Sequence, residues 1–469
     1  DHRDLHSFPT RRSSDLTKTI QSINPFTHEI NAEFHLFTHE QIDARIKKAE
    51  SAFEPWKKLP KSEKKELFLK LAEVFEKNAE EMAKLQTIEM GMLYKESLGG
   101  LKNVAALTRW FANNFERILA EEEFESEGVK GKTMYDPLGV IFGVAPWNFP
   151  FNQVLRGAIP NIIAWNTVVY KHASNVPMCA KKLEELFLEA GFPEGVYQNL
   201  FISSRDTEYV LEKNEIKWVN LTGWEKAWEA IGSFAGKMLK PSVLELGWND
   251  AFIVCDSDNL ENIAEEAVKA RIANGGQKCN SSKRFIVTNE NYEEFKHHFI
   301  EKMSSLKIGD PMDPETQIPP LAKESAVDDI GQQVEQTLKE WGKLLTGWKK
   351  LDIQWNFYAP TIIEVDETMT SYKEEVFGPV ASLIRVDDLD EAIELANDSD
   401  YGLCGCVYGD NAEQTLKVAE QIHTGMVFIN KPAGSKASLP FGWVKKSWYW
   451  KENGPEWLKA FTNKKVIVY

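Results

Sequence analysis

The residue best suited to covalent chemistry is Cys279, which ends the glycine-rich run GGQKC at residues 275–279. The run lies between a helical pattern and a β-type run, and its glycines let another group approach the backbone closely. A cysteine in such a place can serve as an exposed nucleophile. Most lone cysteines are instead small buried residues, so the pentapeptide alone leaves both interpretations open.

Two further side chains could assist such a nucleophile. Glu245 stands between apolar residues in the run LELG, residues 244–247, where partial desolvation would raise the pKa of its carboxyl toward that of a general base. Asn148 lies in PWNFP, residues 146–150, where two prolines fix the backbone and preorganise its amide as a donor to an oxyanion. The alternatives are a solvent-facing Glu on an edge strand and an Asn that holds a turn.

Two other positions suit a nucleotide. Lys171 ends the β-type run VVYK, and at the carboxyl edge of a parallel sheet a lysine can meet a ribose or a phosphate. Gly223 and Trp224 follow Thr222 at the start of a helical pattern, where backbone N–H groups bind phosphate. No complete GxGxxG follows the early strands, so this turn alone is weak evidence, and Lys171 could equally be a solvated strand end.

These residues stand at the ends of elements that alternate along the chain. The predicted strands are residues 140–144, 167–171, 196–201, 219–221 and 243–246, and the helices between them are residues 151–163, 177–190 and 224–237. A second α/β region from Ala251 to about Val444 begins with the strand 251–254, a helix near 260–274 and the strand 284–287. Such alternation implies βαβ units and a mostly parallel sheet.

Other elements flank this α/β pattern. Residues 40–89 have apolar side chains at helical spacing. Residues 113–138 combine an acidic block with glycine turn signals and predict a protruding hairpin. The tail ends in the apolar β-type run VIVY, residues 466–469, which needs a partner strand.

Bulk composition excludes several classes of protein. The 469 residues suggest roughly three domains, and no apolar run approaches the ~20 residues of a membrane helix. A net charge of −16 argues against binding to nucleic acid or to anionic membranes. The five cysteines have no metal-ligand spacing, so we expect no metal site and no disulfides, as in a reducing cytoplasm. Residues 1–16 differ in composition from the rest and are expected to be a non-native leader.

Taken in order, PWNFP, a strand-ending lysine, TG at a helix start, LELG and GQxC resemble the aldehyde dehydrogenase superfamily. The resemblance continues through EEVFGP, YGL and PFG, at residues 374–379, 401–403 and 440–442, and covers about residues 18–469. It implies an α/β fold with a Rossmann-type cofactor domain, an α/β catalytic domain and a small β oligomerisation element. The expected bounds are 17–116 and 139–248 for the dinucleotide-binding domain, 249–444 for the catalytic domain, and 117–138 and 445–469 for the oligomerisation element.

The resemblance also implies a role for each matching residue. Cys279 would attack an aldehyde as the thiolate, Asn148 and the backbone N–H of Cys279 would hold the oxyanion, and Glu245 would activate water to release the acid. NAD or NADP would accept the hydride. The residues expected to bind this cofactor are Trp147, Lys171, Ser174, Gly223, Trp224, Glu375 and Phe377.

Substrate and cofactor preference follow from a narrower likeness. The runs KHASNVP and KRF, at residues 171–177 and 283–285, look most like those of bacterial succinate-semialdehyde dehydrogenases. Relatives that prefer NAD often have Glu where this chain has Ser174, so NADP should be tolerated. The likeness implies that Arg156, with help from Arg271 and Phe441, binds the substrate, with Arg156 on its distal carboxylate. A structural ion pair is the alternative for Arg156. The resemblance also implies a homo-oligomer, a dimer or a tetramer.

The chain departs from the family pattern at many tryptophans. Most of these stand where relatives have glycine: Trp165, Trp228, Trp248, Trp348, Trp355, Trp443, Trp448, Trp450 and Trp457, with Trp218 and Trp341 as further cases and Trp224 in place of a small residue. One hypothesis is that the source reads UGA as glycine, so that the natural chain has glycine at these sites. Tryptophan at a phosphate turn would otherwise hinder cofactor binding.

Three functions therefore remain open from the sequence. The first is an NAD(P)-dependent dehydrogenase for succinate semialdehyde or for another aldehyde. The second is a catalytically silent protein of the same fold whose tryptophans block the cofactor. The third is a cysteine-dependent hydrolase, which is weakened because no histidine has the pattern of a base. Aldehyde-dependent formation of reduced cofactor separates the first from the other two.

Overall fold

A computed structural model gives the fold for residues 19–223, 225–245, 247–348, 351, 356–447 and 451–469, without the side chains of 225–229 and 244–245. The expected leader therefore lies outside the described residues. So do Trp224, Trp355, Trp448 and Trp450, and the side chains of Glu245 and Trp228.

A short hairpin and four helices precede the first parallel sheet. They are β1 (Thr19–Ile23), β2 (Ile30–His35), α1 (His39–Lys58), α2 (Lys61–Lys77), α3 (Ala79–Met90) and α4 (Tyr94–Ile118). The prediction of helix over 40–89 is confirmed. The helix α1 begins at a capping box in which Thr38 and Gln41 satisfy each other's backbone N–H groups. The hairpin predicted over 113–138 is shorter than expected: residues 113–118 belong to α4, and the hairpin itself is β3 (Glu122–Ser126) and β4 (Val129–Pro137).

The first α/β unit is a five-stranded parallel sheet in the order β7-β6-β5-β8-β9. Its elements are β5 (Val140–Val144), α5 (Asn152–Ile163), β6 (Thr167–Lys171), α6 (Pro177–Glu189), β7 (Tyr197–Asn199), α7 (Thr207–Glu212), β8 (Ile216–Thr222), α8 (Glu225–Lys237) and β9 (Ser242–Glu245). All five predicted strands are present. The strand β7 is shorter than predicted because its ladder pairs only with Val168–Tyr170 of β6.

The second α/β unit has a seven-stranded sheet in the order β12-β13-β14-β11-β10-β16-β17. Its elements, with the short strand β15, are β10 (Ala251–Val254), α9 (Leu260–Ile272), β11 (Arg284–Thr288), α10 (Asn289–Ser304), α11 (Glu324–Lys339), β12 (Lys343–Thr346), β13 (Thr361–Glu364), α12 (Thr370–Lys373), β14 (Val380–Val386), α13 (Leu389–Asn397), β15 (Tyr401–Gly402), β16 (Cys404–Tyr408), α14 (Ala412–Gln421) and β17 (Met426–Ile429). Only β12 runs antiparallel to its neighbour.

The chain ends by returning to the hairpin. The last elements are β18 (Phe441–Gly442), β19 (Val444–Lys445), β20 (Lys451–Glu452), α15 (Gly454–Ala460) and β21 (Thr462–Val468). The strand β21 pairs antiparallel with β4 and completes a three-stranded sheet, β21-β4-β3. The tail therefore finds the partner strand that its apolar run predicts. The domain bounds stay predictions.

The edges of the two sheets face each other across one cavity. The strands β5, β6, β8 and β9 end in order at Val144, Lys171, Thr222 and Glu245, all on one edge because they are parallel. The strand order reverses direction around β5, which is where α/β sheets place ligands. The segments that precede β10, β11 and β14 face this edge, and residues from both sides line one cavity. Among the described residues, no helix has both the length and the apolar character of a membrane span.

Candidate active site

A cavity of about 840 Å³ lies between the two parallel sheets. Asn148 and Gly223 line it from the first sheet, and Cys279, Glu375 and Phe377 line it from the second. This volume is within the range of ~300–1,000 Å³ that small-molecule sites occupy. These five residues, predicted from four separate motifs, thus share one cavity.

Asn148 is held at the wall of this cavity by contacts to the opposite unit. Its side chain is buried, and its Nδ2 donates to the carbonyl of Gln277 over 3.1 Å. Its own backbone carbonyl accepts from Nδ2 of Asn274 over 3.0 Å. An amide nitrogen carries two hydrogens, so the second N–H of Asn148 is available to an oxygen in the cavity.

Cys279 ends a loop, residues 273–279, that we call the cysteine loop. Asn274, Gly275 and Gly276 have φ of +54°, +62° and +78°, a left-handed run that few residue types accept. An added Cβ at Gly276 would overlap the carbonyl of Gly378, so glycine is required there. The turn leaves Cys279 half-buried in the cavity wall.

Two side chains fix the shape of this loop, Glu96 from helix α4 and Gln277 from the loop itself. The carboxylate of Glu96 accepts from the backbone N–H of Asn274 over 3.0 Å. Gln277 donates to the carbonyl of Asn274 over 3.1 Å and accepts from the N–H of Ala322 over 2.9 Å. Burial raises the pKa of Glu96. The sequence reasoning missed Glu96, because nothing in its helical pattern sets it apart.

Glu375 is fixed on the opposite wall of the cavity. One carboxylate oxygen lies 3.0 Å from Nζ of Lys283, and the other accepts from the backbone N–H of Trp248 over 3.3 Å. Burial raises the pKa of Glu375, while the nearby ammonium of Lys283 lowers it. The ring of Phe377 meets that of Trp147 edge to face, with centroids 6.0 Å apart. This wall combines a carboxylate with aromatic surface.

Of the predicted residues Glu245 and Trp224, only the backbone of Glu245 belongs to the described part of the chain, and it reaches the same edge of the first sheet. Glu245 ends β9 and pairs with Thr222 of β8, which lines the cavity. The side chain of Glu245 and the whole of Trp224 lie outside the described residues, so their roles stay predictions.

Lys171 and Ser174 lie beside this cavity edge and are not among its lining residues. Lys171 is buried, and its Nζ is 3.4 Å from the carbonyl of His172. Desolvation, and then Lys323, lower the pKa of Lys171. Ser174 is exposed. Among the described contacts, no acidic side chain pairs with Lys171, and its role toward the cofactor stays a prediction.

The two arginines assigned to the substrate have other contacts. Arg271 is fully buried, and its guanidinium donates to the carbonyls of Val376, over 2.9 Å, and Gly378. Burial lowers the pKa of Arg271 to about 9. Through these contacts Arg271 ties the cysteine loop to the segment before β14, and it is not among the residues that line the cavity. Its expected role toward the substrate stays a prediction.

Arg156 lies in a buried cluster beneath the C-terminal elements. It forms an ion pair with Glu452, whose side chain is 2% exposed, and its guanidinium stacks on Phe441, 4.7 Å from the ring centre. Trp457 donates to its backbone carbonyl over 2.9 Å. The structure therefore supplies the ion pair that is the alternative for Arg156, and neither Arg156 nor Phe441 is among the residues that line the cavity.

The tryptophans that depart from the family pattern fall into two groups in the described part of the chain. Trp248 is buried, lines the cavity and packs edge to face on Trp443 at 5.5 Å. Trp165, Trp341 and Trp348 instead have positive φ, at +69°, +78° and +55°. A bulky residue in that region is strained, as the glycine hypothesis expects.

The family model for the "Aldehyde dehydrogenase family" matches residues 11–467. The chain therefore belongs to the aldehyde dehydrogenase family and is an NAD(P)-dependent oxidoreductase. The predicted fold class is confirmed.

Similar proteins are known in several bacteria. "Succinate-semialdehyde dehydrogenase [NADP(+)]" of Deinococcus radiodurans is 37% identical over 96% of this chain and 94% of its own length. The protein of that name from Mycobacterium avium is 38% identical over 96% of both chains. The crystal structure of succinic semialdehyde dehydrogenase from Streptococcus pyogenes with NADP+ superposes with a TM-score of 0.93, at 36% identity over 96% of this chain and 99% of that one.

Proposed function

We propose that this enzyme oxidises succinate semialdehyde to succinate with NADP as the hydride acceptor. The observation that carries the proposal is that Cys279 and Asn148, which come from different sheets, line one cavity. A nucleophile and an oxyanion donor at one place are what the oxidation of an aldehyde through a thioester requires. The named relatives support the choice of this aldehyde and of this cofactor.

In this mechanism the residues of the chain carry the covalent steps. The thiolate of Cys279 attacks the aldehyde carbon, so a C–S bond forms and the carbonyl oxygen becomes negative. The amide of Asn148 and the backbone N–H of Cys279 donate to that oxygen. The bound dinucleotide supplies the acceptor for the hydride, which leaves a thioester on Cys279. Glu245 then takes a proton from water as the water attacks this thioester, and the thiolate leaves.

The cavity residues suit the nicotinamide end of a dinucleotide. Glu375 presents a partly buried carboxylate that can accept from ribose hydroxyls, and Phe377 presents a ring beside it. Lys171 is a buried cation at the neighbouring strand end, and Ser174 adds no negative charge there. We infer that a 2′-phosphate is tolerated, because a carboxylate at Ser174 would repel it and a hydroxyl does not.

A direct assay tests both parts of the proposal. The purified protein is offered succinate semialdehyde and butanal, each with NADP and with NAD, and formation of reduced cofactor is followed. We expect the highest kcat/KM for succinate semialdehyde with NADP. The variant Ser174→Glu should lose activity with NADP and retain it with NAD. A preference for butanal would reject the substrate, and a Ser174→Glu variant unchanged toward NADP would reject the cofactor argument.

The same assay separates the other two functions. A folded protein that reduces neither cofactor with any aldehyde would be the catalytically silent relative. A protein that hydrolyses an activated ester but leaves the cofactor oxidised would be the cysteine-dependent hydrolase. Each outcome contradicts the dehydrogenase proposal in a different way.

We also propose that the three-stranded sheet joins copies of the chain into a dimer or tetramer. The strand β21 is an edge strand of this sheet. Val466 and Val468 on it are 56% and 62% exposed, and Tyr469 directly after it is 70% exposed. Exposed apolar edges of this kind usually pair with another chain. Replacing Val466 and Val468 by lysine should reduce the molar mass measured by light scattering, and an unchanged mass would reject this surface.

A cytoplasmic location completes the proposal. All five cysteines belong to the described residues, and none of them forms a disulfide. That usage is typical of a reducing compartment. Measuring the protein in cell fractions tests this location.

A further inference from the structure

Lys283 is a buried lysine that contacts two parts of the site at once. Its side chain is 2% exposed. The ammonium donates to the backbone carbonyl of Cys279 over 2.7 Å and lies 3.0 Å from a carboxylate oxygen of Glu375. We propose that Lys283 is a positioning residue that holds the nucleophile and the ribose-binding carboxylate in one arrangement. This inference rests on the proposed function, which gives Cys279 and Glu375 those roles.

The backbone of Lys283 cannot shift easily to break these contacts. Its N–H donates to the carbonyl of Asp250 over 2.9 Å, and its carbonyl accepts from the N–H of Ser382 over 3.0 Å. Both bonds continue the ladders of β11 with its neighbours β10 and β14. Lys283 is therefore anchored in the centre of the seven-stranded sheet, and its side chain reaches from that fixed point into the site.

The electrostatic surroundings explain why a lysine is stable in this place. A buried ammonium needs an acidic partner, and Glu375 lies beside it, with Asp250 as a second acid in its field. Arg271 and Arg284 are the other charged groups that face these two acids. Burial raises the pKa of Glu375, and the ammonium of Lys283 is the strongest of the contacts that oppose this rise and favour the carboxylate. A charged acceptor binds a hydroxyl about twice as strongly as a neutral one.

The contact with Cys279 has a second consequence. The carbonyl oxygen and the sulfur belong to one residue, so the ammonium lies within roughly 8 Å of the sulfur. A cation at that distance favours the thiolate over the thiol. It also fixes the peptide that follows Cys279, which limits rotation of the nucleophile. One side chain thus acts on the attacking group and on the ribose contact together.

The test compares Lys283→Met with the unmodified enzyme. We expect kcat/KM for succinate semialdehyde to fall by about 10- to 100-fold, the range for lost charge-assisted hydrogen bonds. The dissociation constant for NADP, measured without aldehyde, should rise at pH 6 and recover toward pH 9 as Glu375 loses its proton. Alkylation of Cys279 by iodoacetamide should require a higher pH than in the unmodified enzyme.

Lys64→Met is the matched control. Lys64 is also fully buried, and it also donates to backbone carbonyls, those of Lys57 and Leu59, but it is not among the residues that line the cavity. This variant should lose stability without any change in the pH dependence of NADP binding or of alkylation. A Lys283→Met variant with the same behaviour would show a merely structural role and overturn the proposal.

A second variant keeps the proposal testable if Lys283→Met does not fold. Glu375→Gln removes the charged partner at nearly the same shape, and the cofactor affinity of this variant should not improve from pH 6 to pH 9. If the NADP affinity of Glu375→Gln improved from pH 6 to pH 9 as much as that of Lys283→Met, the coupling of Lys283 through Glu375 would be rejected. If the unmodified enzyme binds NADP but does not oxidise succinate semialdehyde, the proposed substrate fails, while the NADP-binding measurements still decide the role of Lys283.

Discussion

The cysteine loop and the ends of two helices use the same backbone region with different residues. In the loop, the left-handed positions are taken by Asn274, Gly275 and Gly276, which are the residue types that accept positive φ at little cost. At the ends of α5 and α11, the left-handed positions are taken by Trp165 and Trp341. The site thus obeys the local rules of the backbone, whereas the helix ends do not.

The helix ends can be compared with a matched case inside the same protein. The helices α5, α6 and α11 all end in the Schellman pattern, with paired 6→1 and 5→2 backbone hydrogen bonds. The left-handed residue is Gly191 in α6, as the motif favours, but Trp165 in α5 and Trp341 in α11. Leu239 ends α8 in the same way, so the motif accepts a side chain at a cost. Departures from the family pattern therefore act on stability at these ends and not on the chemistry of the loop.

The largest effect should follow from Cys279→Ala on the loop side of this comparison. We expect aldehyde oxidation to be abolished while NADP binding is retained, because only the covalent step is removed. The measurement is steady-state reduction of NADP beside a binding titration. Cys255→Ala removes a buried cysteine outside the cavity lining and serves as the control. Near-full activity of Cys279→Ala would contradict the mechanism.

Asn148→Ala should have the next largest effect. Losing one oxyanion donor should lower kcat by about 10²- to 10³-fold, or about 3–4 kcal/mol in the barrier. The control is Asn152→Ala at the start of α5, whose amide donates to the carbonyl of Gly100 over 3.2 Å. A loss in Asn148→Ala no greater than in this control would mean that Asn148 only holds the turn.

A smaller effect is expected from Arg156→Leu on the choice of substrate. If Arg156 binds the distal carboxylate, Arg156→Leu should raise the KM for succinate semialdehyde more than the KM for butanal. We expect this difference to correspond to about 2 kcal/mol of binding free energy, the low end for a broken charge pair. The low end applies because Glu452 already shares this guanidinium. Equal changes in KM for both aldehydes would show that Arg156 is purely structural. A Glu452→Gln variant with the same ratio of the two KM values as Arg156→Leu would show the same.

The smallest effect concerns the helix ends and has the opposite sign. Trp341 is 87% exposed and has φ of +78°, so Trp341→Gly should raise the free energy of unfolding by about 1 kcal/mol. Trp341→Ala removes the ring but keeps a Cβ at positive φ, so its free energy of unfolding should rise much less. Trp165→Gly should gain less than Trp341→Gly, because Trp165 packs on Phe115. The free energies of unfolding are measured with denaturant. Equal values for Trp341→Gly and Trp341→Ala would contradict the prediction that a Cβ at positive φ costs stability here.

The glycine hypothesis itself is decided by the natural protein. Peptide masses that place glycine at residues 165 and 341 would agree with UGA read as glycine. Masses that place tryptophan there, or UGG codons at these positions, would reject it.

The sequence by itself determined the alternating elements and, through the family resemblance, which residues are candidates for the reactive groups. Strand β5 and the helix after it could be predicted because a fully buried parallel strand is a continuous apolar run with a different period from a helix. Cys279 and Asn148 could be named as candidates because each stands in a short motif, and the order of these motifs along the chain resembles one family. Such signals depend only on the order of residues in the chain.

The tertiary structure decided which distant side chains support those groups. Glu96 contacts the cysteine loop from 178 positions away, Arg271 spans to Gly378, and Arg156 pairs with Glu452. The charge of a residue in the sequence does not tell whether it faces a ligand, another side chain or a backbone carbonyl. That choice is made by burial, because a desolvated polar group must take whichever partner the packed chain brings within reach.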